Sequence, residues 1–375
     1  MRPVRIAAHN GARIYGGGEK WALLLLAGLQ DRGHDVRFFC RDRAMVERAE
    51  ALGVPAAIGR LGGEVALHHA VRFAGTLRRF RPDTLLVTTF KKIWLAGLSA
   101  SLARVPLVVS RVGLSTDRPG RNRLYQVAYR RWVDAVLLNS DDMRMPFLED
   151  LPGYDPRRVA TVMDGIDVDA RPTRPGQIRL DLGVPEGAPV IGTVARLSTQ
   201  KRLDRLLETV TRLATVHCVI AGEGELEAEL KSLAHSLGIA DRVHFLGFRS
   251  DVPNVLDALD VFVLTSDREG MANSMLEALA AGVPVVSSPV SGAREALAPD
   301  ERGTAPGMIV EPDPARLAGQ IEALLGDERR LEDMGREASH RARERFSIDR
   351  SLDAWEQVLS GAPPEIFHQG ASPQC

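Results

Sequence analysis

The stretch Val261-Phe-Val-Leu-Thr-Ser-Asp-Arg-Glu-Gly-Met-Ala-Asn-Ser-Met-Leu-Glu277, closed by Gly282-Val-Pro284, decides the fold class of this chain. Residues 261–265 form an apolar, β-branched run of strand length. A polar loop follows, then a helical pattern over 274–281, which Gly282 and Pro284 stop. A second strand run begins at once, over 284–287. Strand, loop, helix, strand is the unit of a parallel α/β sheet. It leaves Glu269 in a loop at the carboxyl end of a strand. Glu277 falls in the first turn of the adjoining helix, where backbone N–H groups attract anions. Ser274 and Glu277 also have the spacing of a capping box, which by itself accounts for Glu277. It does not account for Glu269-Gly270.

The same alternation extends in both directions. In the second half, strand runs at 189–195, 217–221 and 243–246 alternate with helical patterns at 203–213 and 225–237. In the first half, strand runs fall at 4–9, 36–40, 84–88, 107–110 and 135–139, with helical patterns at 19–31, 67–79, 94–104 and 122–132. Between the halves, Pro172, Pro175, Gly176, Gly183, Pro185 and Gly187 mark a linker and put a domain boundary near Arg171. Residues 314–345 read as two charged amphipathic helices and 347–359 as one more. After Gly361, the residues Pro363, Pro364, Gly370 and Pro373 leave little to pack and predict a disordered tail. The expected organisation is α/β. An N-terminal domain spans 1–170, a C-terminal domain spans 171–345, and the segment 346–375 carries a helix returning to the first domain before the tail. Ligands of open parallel sheets bind at the carboxyl ends of strands, so a cleft between the halves is the expected site.

Composition narrows the function classes. Of 375 residues, 45% are hydrophobic and 26% charged, which supplies two soluble cores. A formal net charge of -1 argues against nucleic acid as a partner. Cys40, Cys218 and Cys375 are far apart and odd in number, so neither a disulfide framework nor a zinc site is expected. No apolar run reaches the roughly 20 residues that span a bilayer. The run from Ala22 to Leu29 follows a glycine cluster and reads as a buried helix rather than a signal peptide. A cytoplasmic location follows as an expectation.

Further loops can bind a charged ligand. Ile191-Gly-Thr-Val-Ala-Arg196-Leu-Ser-Thr-Gln-Lys201-Arg202 is a strand, a loop and a helix start, with two cations in one loop suited to a diphosphate. A solvated basic helix start explains the same residues. Gly16-Gly17-Gly18-Glu19-Lys20 allows close backbone approach to a ligand, and is equally a flexible turn. It lacks the pattern of a P-loop. Ala221-Gly222-Glu-Gly224-Glu225 suggests a dinucleotide fingerprint, but Glu227 stands where the third glycine belongs. Asp167-Val-Asp169 spells D-x-D near the linker, and no metal site is expected there.

These motifs, in this order over most of residues 10–345, resemble the retaining glycosyltransferases of family 4, the sucrose-synthase and mannosyltransferase group. Glu269 to Glu277 is similar to their Glu-x7-Glu signature. The resemblance implies two Rossmann-like domains facing across a cleft (the GT-B fold), with the donor mainly on the second and the acceptor mainly on the first. It implies transfer of a sugar from a nucleoside diphosphate sugar to a hydroxyl with retention, and no cofactor or metal. Glu269 would orient the sugar and Glu277 the ribose. Arg196 and Lys201 would hold the diphosphate, with Gly17, Gly18, Gly222, Gly270, Met271, Ala272 and Asn273 near the donor. Phe248 and Arg249 fall where the family meets the base. The acceptor would be a sugar-bearing, lipid or small-molecule hydroxyl, as in polysaccharide, lipopolysaccharide or glycolipid synthesis.

Two positions depart from the family pattern. Arg111 stands where many relatives carry a His directed at the sugar, and a sugar-side, phosphate or anionic-acceptor role is expected for it. Asp164 stands where Asn is usual. Asn139-Ser-Asp-Asp-Met-Arg144 matches a family pattern of structural type, with Ser140 expected to cap a helix. Arg118, Arg121, Arg123, Arg130 and Arg131, interleaved with Tyr125, Tyr129 and Trp132, are compatible with rest on the inner face of an anionic membrane. They are equally compatible with a charged surface helix. Two rival readings stay open: a nucleotide-sugar epimerase of the same fold, and a non-catalytic sugar-nucleotide binder.

Overall fold

The computed structural model describes residues 2–12, 15–63, 66–114, 117–300 and 303–364. The expected disordered tail and Cys375 lie largely outside these residues. The chain divides into two units, one of Met1–Gly165 with Ile348–Cys375, the other of Ile166–Ser347.

Unit 1 is a parallel sheet of β1 (Arg5–Asn10), β2 (Asp35–Cys40), β3 (Ala56–Ile58), β4 (Thr84–Val87), β5 (Leu107–Val112), β6 (Ala135–Leu138) and β7 (Val159–Thr161). Their order is β3-β2-β1-β4-β5-β6-β7. The central strands β4 and β6 are buried along their whole length, because helices cover both faces. The helices Leu67–Phe80, Ile93–Ala103 and Arg123–Trp132 pack on one face, through Phe73, Leu77, Leu95 and Tyr129. The helix Gly17–Asp31 and the C-terminal helix Ile348–Leu359 share the core on the other. Trp355 meets Trp21 with ring centroids 5.2 Å apart, and both are buried. Arg32 adds ion pairs to Asp353 at 2.7 Å and Glu356 at 2.9 Å.

Unit 2 is a parallel sheet of β8 (Val190–Val194), β9 (His217–Ala221), β10 (Val243–Gly247), β11 (Val261–Leu264), β12 (Val285–Ser287) and β13 (Gly307–Ile309). The order is β10-β9-β8-β11-β12-β13. The helices Leu203–Val210 and Pro314–Leu325 bury Leu206, Leu207, Leu317 and Ile321 in its core.

The domain division falls at Gly165, a few residues ahead of Arg171. The stretch expected to be a breaker-rich linker belongs to unit 2 and contains a short helix, Gln177–Asp181. Its N-terminal approach is fixed by Asn254 and Asp257, which accept from the backbone N–H groups of Arg174 and Gly176. Strands β3, β7 and β13 have no counterpart in the sequence reading. Each has three residues and lies at a sheet edge, too short for a period-2 pattern. Among the described residues, no helix is long and apolar enough to cross a membrane.

Candidate active site

In unit 2 the chain runs from β8 outward to β9 and β10, then returns to β11 on the other side of β8. The loops after β8 and β11 therefore diverge, and crevices at such switch points are where open α/β sheets bind ligands. Lys201, in the turn Thr199–Lys201 after β8, meets Glu269 from the loop after β11, with Nζ 2.5 Å from Oε1. Glu269 is buried and Lys201 retains 19% side-chain exposure. Backbone contacts hold the two loops together. Asp267 N–H donates to the Gln200 carbonyl at 3.0 Å, Thr265 Oγ1 to the Lys201 carbonyl at 3.0 Å, and Gln200 Nε2 to the Arg268 carbonyl at 2.7 Å. Neighbouring cations are committed elsewhere: Arg202 to Asp204 at 2.8 Å and Arg205 to Asp267 at 2.6 Å. Arg196 is exposed, and among the described residues no acidic side chain pairs with it.

The helix after this loop starts at Asn273, with Ala272 at its N-cap and no side-chain cap. Ser274 thus lies inside the first turn. The capping-box explanation of Glu277 does not hold, and Glu277 is left half-buried further along the same helix. Met271 and Ala272 are buried beneath the loop. The Gly270 carbonyl accepts from Gly292 N–H at 2.7 Å.

Packing requires the glycines of the turn after β9. A Cβ on Gly222, whose φ is +140°, would stand 1.9 Å from the Ala195 carbonyl oxygen, and one on Gly224 would stand 2.2 Å from that of Leu197. The glycines let this turn pack against the loop that carries Arg196. Ala195 N–H donates to Ala221, and Leu197 N–H donates to Glu223, at 2.9 and 3.0 Å. Phe248, after β10, is 57% exposed, with its N–H 3.4 Å from Glu223 Oε1. Arg249 binds Asp251 with both nitrogens, at 2.8 and 2.6 Å, and holds that carboxyl below the usual range.

In unit 1 the switch point lies between β1 and β4. The Thr89 hydroxyl there accepts from Gly11 N–H at 2.9 Å and lies 3.3 Å from Asn10 Oδ1. Gly16 precedes the helix Gly17–Asp31 as an uncapped N-cap. A Cβ on Gly18 would be 3.8 Å from Arg111 Nη1, an ordinary contact. Arg111 is buried, and its guanidinium lies 4.1 Å over the Trp21 ring. It binds Asp164 through Nη2 at 2.5 Å and Nε at 3.3 Å, while Asn139 Nδ2 donates to the same carboxylate at 3.1 Å. Arg111, expected on the sugar side, is thus engaged by Asp164 and by the face of Trp21. The two departures from the family pattern are partners: a cation at 111 needs a carboxylate at 164. A charge gained at one position and a matching charge at the other was the signal available in the sequence.

The basic-aromatic stretch also resolves. Tyr125 and Tyr129 are buried, and Trp132 packs on Trp94 with centroids 5.0 Å apart. Arg118 is held by Asp150 at 2.7 Å, and Arg130 by the Pro152 carbonyl at 2.8 Å. Arg123, Val127 and Arg131 are the exposed remainder of that helix. Nothing is described of the Arg121 side chain.

The chain is similar to known proteins over most of its length. Residues 15–170 match the model of Glycosyltransferase Family 4, and residues 176–341 that of Glycosyl transferases group 1. The alpha-maltose-1-phosphate synthase of Mycolicibacterium smegmatis is 31% identical over 71% of this chain and 77% of its own length. The lipopolysaccharide core biosynthesis glycosyltransferase LpsE of Rhizobium meliloti is 29% identical over 76% and 78%. The crystal structure of Anabaena Alr3699/HepE, in complex with UDP and glucose, superposes with a TM-score of 0.82 at 22% identity, covering 95% of this chain and 99% of that one. With both units matched in order and both sheets in place, the chain belongs to the family 4 glycosyltransferases and has their GT-B fold.

Proposed function

We propose that this glycosyltransferase moves a sugar from a nucleoside diphosphate sugar, bound by unit 2, to a hydroxyl acceptor bound by unit 1, with retention at the anomeric carbon and without a metal. The observation that carries this is the Lys201–Glu269 contact at the switch point of unit 2, beside Arg196, which has no ion pair among the described residues. A diphosphate brings the anionic charge that these cations match. On donor binding, Lys201 exchanges Glu269 for phosphate oxygen, and the freed carboxylate accepts from the sugar hydroxyls. Glu277 takes the ribose hydroxyls, and the backbone near Phe248 takes the base. In the reaction, the acceptor oxygen bonds to the anomeric carbon as the bond from that carbon to the phosphate oxygen breaks. The electron pair goes to the diphosphate, where Arg196 and Lys201 stabilise it, and the acceptor proton passes to the departing phosphate oxygen.

The HepE complexes with UDP and with UDP-glucose support such a donor, and LpsE supports an acceptor of lipopolysaccharide or polysaccharide type. Charge adds to this. Unit 1 carries 27 Lys and Arg against 20 Asp and Glu, while unit 2 carries 21 against 29. A basic acceptor unit suits an acceptor presented on an anionic surface. Co-sedimentation with phosphatidylglycerol vesicles but not with phosphatidylcholine vesicles is the expected result.

The decisive experiment is calorimetry with UDP and GDP, followed by turnover of UDP-glucose and GDP-mannose in EDTA. The double change Arg196→Ala and Lys201→Ala is expected to weaken nucleoside diphosphate binding by at least about 100-fold, since charge-assisted hydrogen bonds contribute about 1.5–3 kcal/mol each. Glu269→Ala is expected to retain that affinity while transfer falls by at least about 100-fold. Unchanged affinity in the first, or normal turnover in the second, overturns the assignment. Loss of turnover in EDTA overturns its metal-free part. Conversion of the donor without acceptor into an epimeric nucleotide sugar would favour the epimerase instead.

A further inference from the structure

We propose that the outer face of the three-helix layer on the first sheet docks on an anionic lipid bilayer, with its arginines on lipid phosphates and its apolar side chains among the headgroups. That the bilayer also presents the acceptor rests on the glycosyl-transfer reading above. The docking itself does not.

The layer consists of the helices Leu67–Phe80, Ile93–Ala103 and Arg123–Trp132, the middle one packed against both others. Each turns one side to the core of the sheet, through Phe73, Ala96 and Tyr129 among others. On the other side, side chains four positions apart line up along each helix. In the first, Leu67 and Val71 are 53% and 61% exposed. In the third, Arg123, Val127 and Arg131 are exposed in the same register. The middle helix has no charged residue, and Trp94, Leu98 and Leu102 form its stripe, with Leu102 exposed and the other two half-buried. Trp94 closes against Trp132 of the third helix. An apolar strip thus runs across three neighbouring helices.

The charge beside that strip has one sign. The three helices hold six arginines, at 72, 78, 79, 123, 130 and 131, all exposed, and no Asp or Glu. Arg78 and Arg130 donate to the carbonyls of Leu102 and Pro152 at 2.6 and 2.8 Å, which orients them and leaves their charge uncancelled. Among the described residues, none of the six is paired with a carboxylate. A solvated helix of this chain looks different: Glu328–Arg345 mixes both signs, and its Arg336 pairs with Glu332 and Asp333. Cations flanking an exposed apolar stripe are what an anionic interface binds, through attraction to the lipid phosphates and burial of the stripe. Tryptophan suits the same boundary, with an apolar ring and a polar N–H. The placement fits too. The three helices follow the parallel strands β3, β4 and β5, so their N-terminal ends lie at the carboxyl edge of the sheet, where the acceptor is expected. A bilayer on this face borders that edge.

The test is sedimentation of the full chain with vesicles of phosphatidylglycerol and phosphatidylcholine, against phosphatidylcholine alone. Wild type is expected to bind the anionic vesicles at least about tenfold more tightly, and high salt is expected to weaken that binding. Arg72→Glu with Arg79→Glu, Arg123→Glu with Arg131→Glu, and Leu67→Ser with Val71→Ser are each expected to weaken it at least about tenfold. All six changes are at exposed positions, so melting temperature and calorimetric affinity for UDP or GDP are expected to stay at wild-type values. Arg329→Glu with Arg330→Glu, exposed in unit 2, changes net charge equally and is expected to leave vesicle binding within twofold. Equal binding to both vesicle types overturns the proposal, as does wild-type binding by both arginine pairs. A control pair that loses as much overturns it too, because net charge alone then suffices. If the arginine changes release the vesicles and the Leu67 and Val71 changes do not, the face takes a soluble polyanion, and the bilayer is excluded. Vesicle binding by a chain that binds neither UDP nor GDP overturns the transfer reading and keeps this surface. Nucleotide binding and transfer without vesicle binding do the reverse.

Discussion

At the residue scale, the two positions that depart from the family pattern answer each other. Arg111 and Asp164 form a buried pair, completed by Asn139 and by the face of Trp21. Such a pair is weak evidence for net stability, because desolvating both charges offsets their attraction. Breaking it is another matter. Arg111→His or Asp164→Asn leaves one buried charge unpaired and is expected to cost about 3–5 kcal/mol. The double change Arg111→His with Asp164→Asn removes both charges and is expected to recover most of that loss. Urea unfolding of the four proteins makes the double-mutant cycle, and additive losses would show that the pair is not coupled. Glu269 and Lys201 form a different kind of pair. Lys201 keeps some exposure, and the exposed Arg196 shares its loop.

At the scale of elements, the candidate donor site is three loops packed on one another at the ends of β8, β9 and β11. The contacts between them are mostly backbone hydrogen bonds, which side-chain patterns do not announce. Gly222 and Gly224 show this. Their spacing suggested a ligand turn, yet a Cβ at either would collide with the carbonyl oxygens of Ala195 or Leu197. Gly222→Ala also forces a positive φ on a residue with a side chain. It is expected to destabilise unit 2 by about 2 kcal/mol or more and to displace Arg196. Thermal unfolding and calorimetric nucleotide binding would then fall together. A variant that lost binding at unchanged melting temperature would instead assign the glycine to ligand contact. A helix starting at Asn273 likewise removes the capping box that the spacing of Ser274 and Glu277 suggested.

At the scale of the whole molecule, the chain crosses from unit 1 to unit 2 near Gly165 and returns at Ile348. The last helix completes the first core, through Trp355 on Trp21 and through Leu352, Val358 and Leu359. Leu352 also lies where only a glycine at 28 leaves room, since a Cβ there would be 2.5 Å from its Cδ1. Trp355→Ala is expected to cost about 3–5 kcal/mol. Hydrogen exchange should report it in the helix Gly17–Asp31 while the strands of unit 2 keep their protection. Equal loss of protection in both units would contradict a helix that serves unit 1. Charge is divided on the same scale, with the basic surplus in unit 1 and the acidic surplus in unit 2, which a net charge of -1 conceals.

By itself, the sequence determined the α/β alternation, the strand-end positions of Glu269, Arg196 and the Gly16–Gly18 turn, and the family that this ordered set of motifs resembles. All of these are written in local patterns of a few residues, where period and turn chemistry are legible. What only the tertiary structure decided are contacts between distant residues. Arg111 meets Asp164 across 53 positions, and Lys201 meets Glu269 across 68. The three-residue edge strands β3, β7 and β13 belong to the same class. A side chain's partners depend on which strands become neighbours. That order, with β1 between β2 and β4 and β8 between β9 and β11, is set by packing the whole sheet rather than by any segment of it.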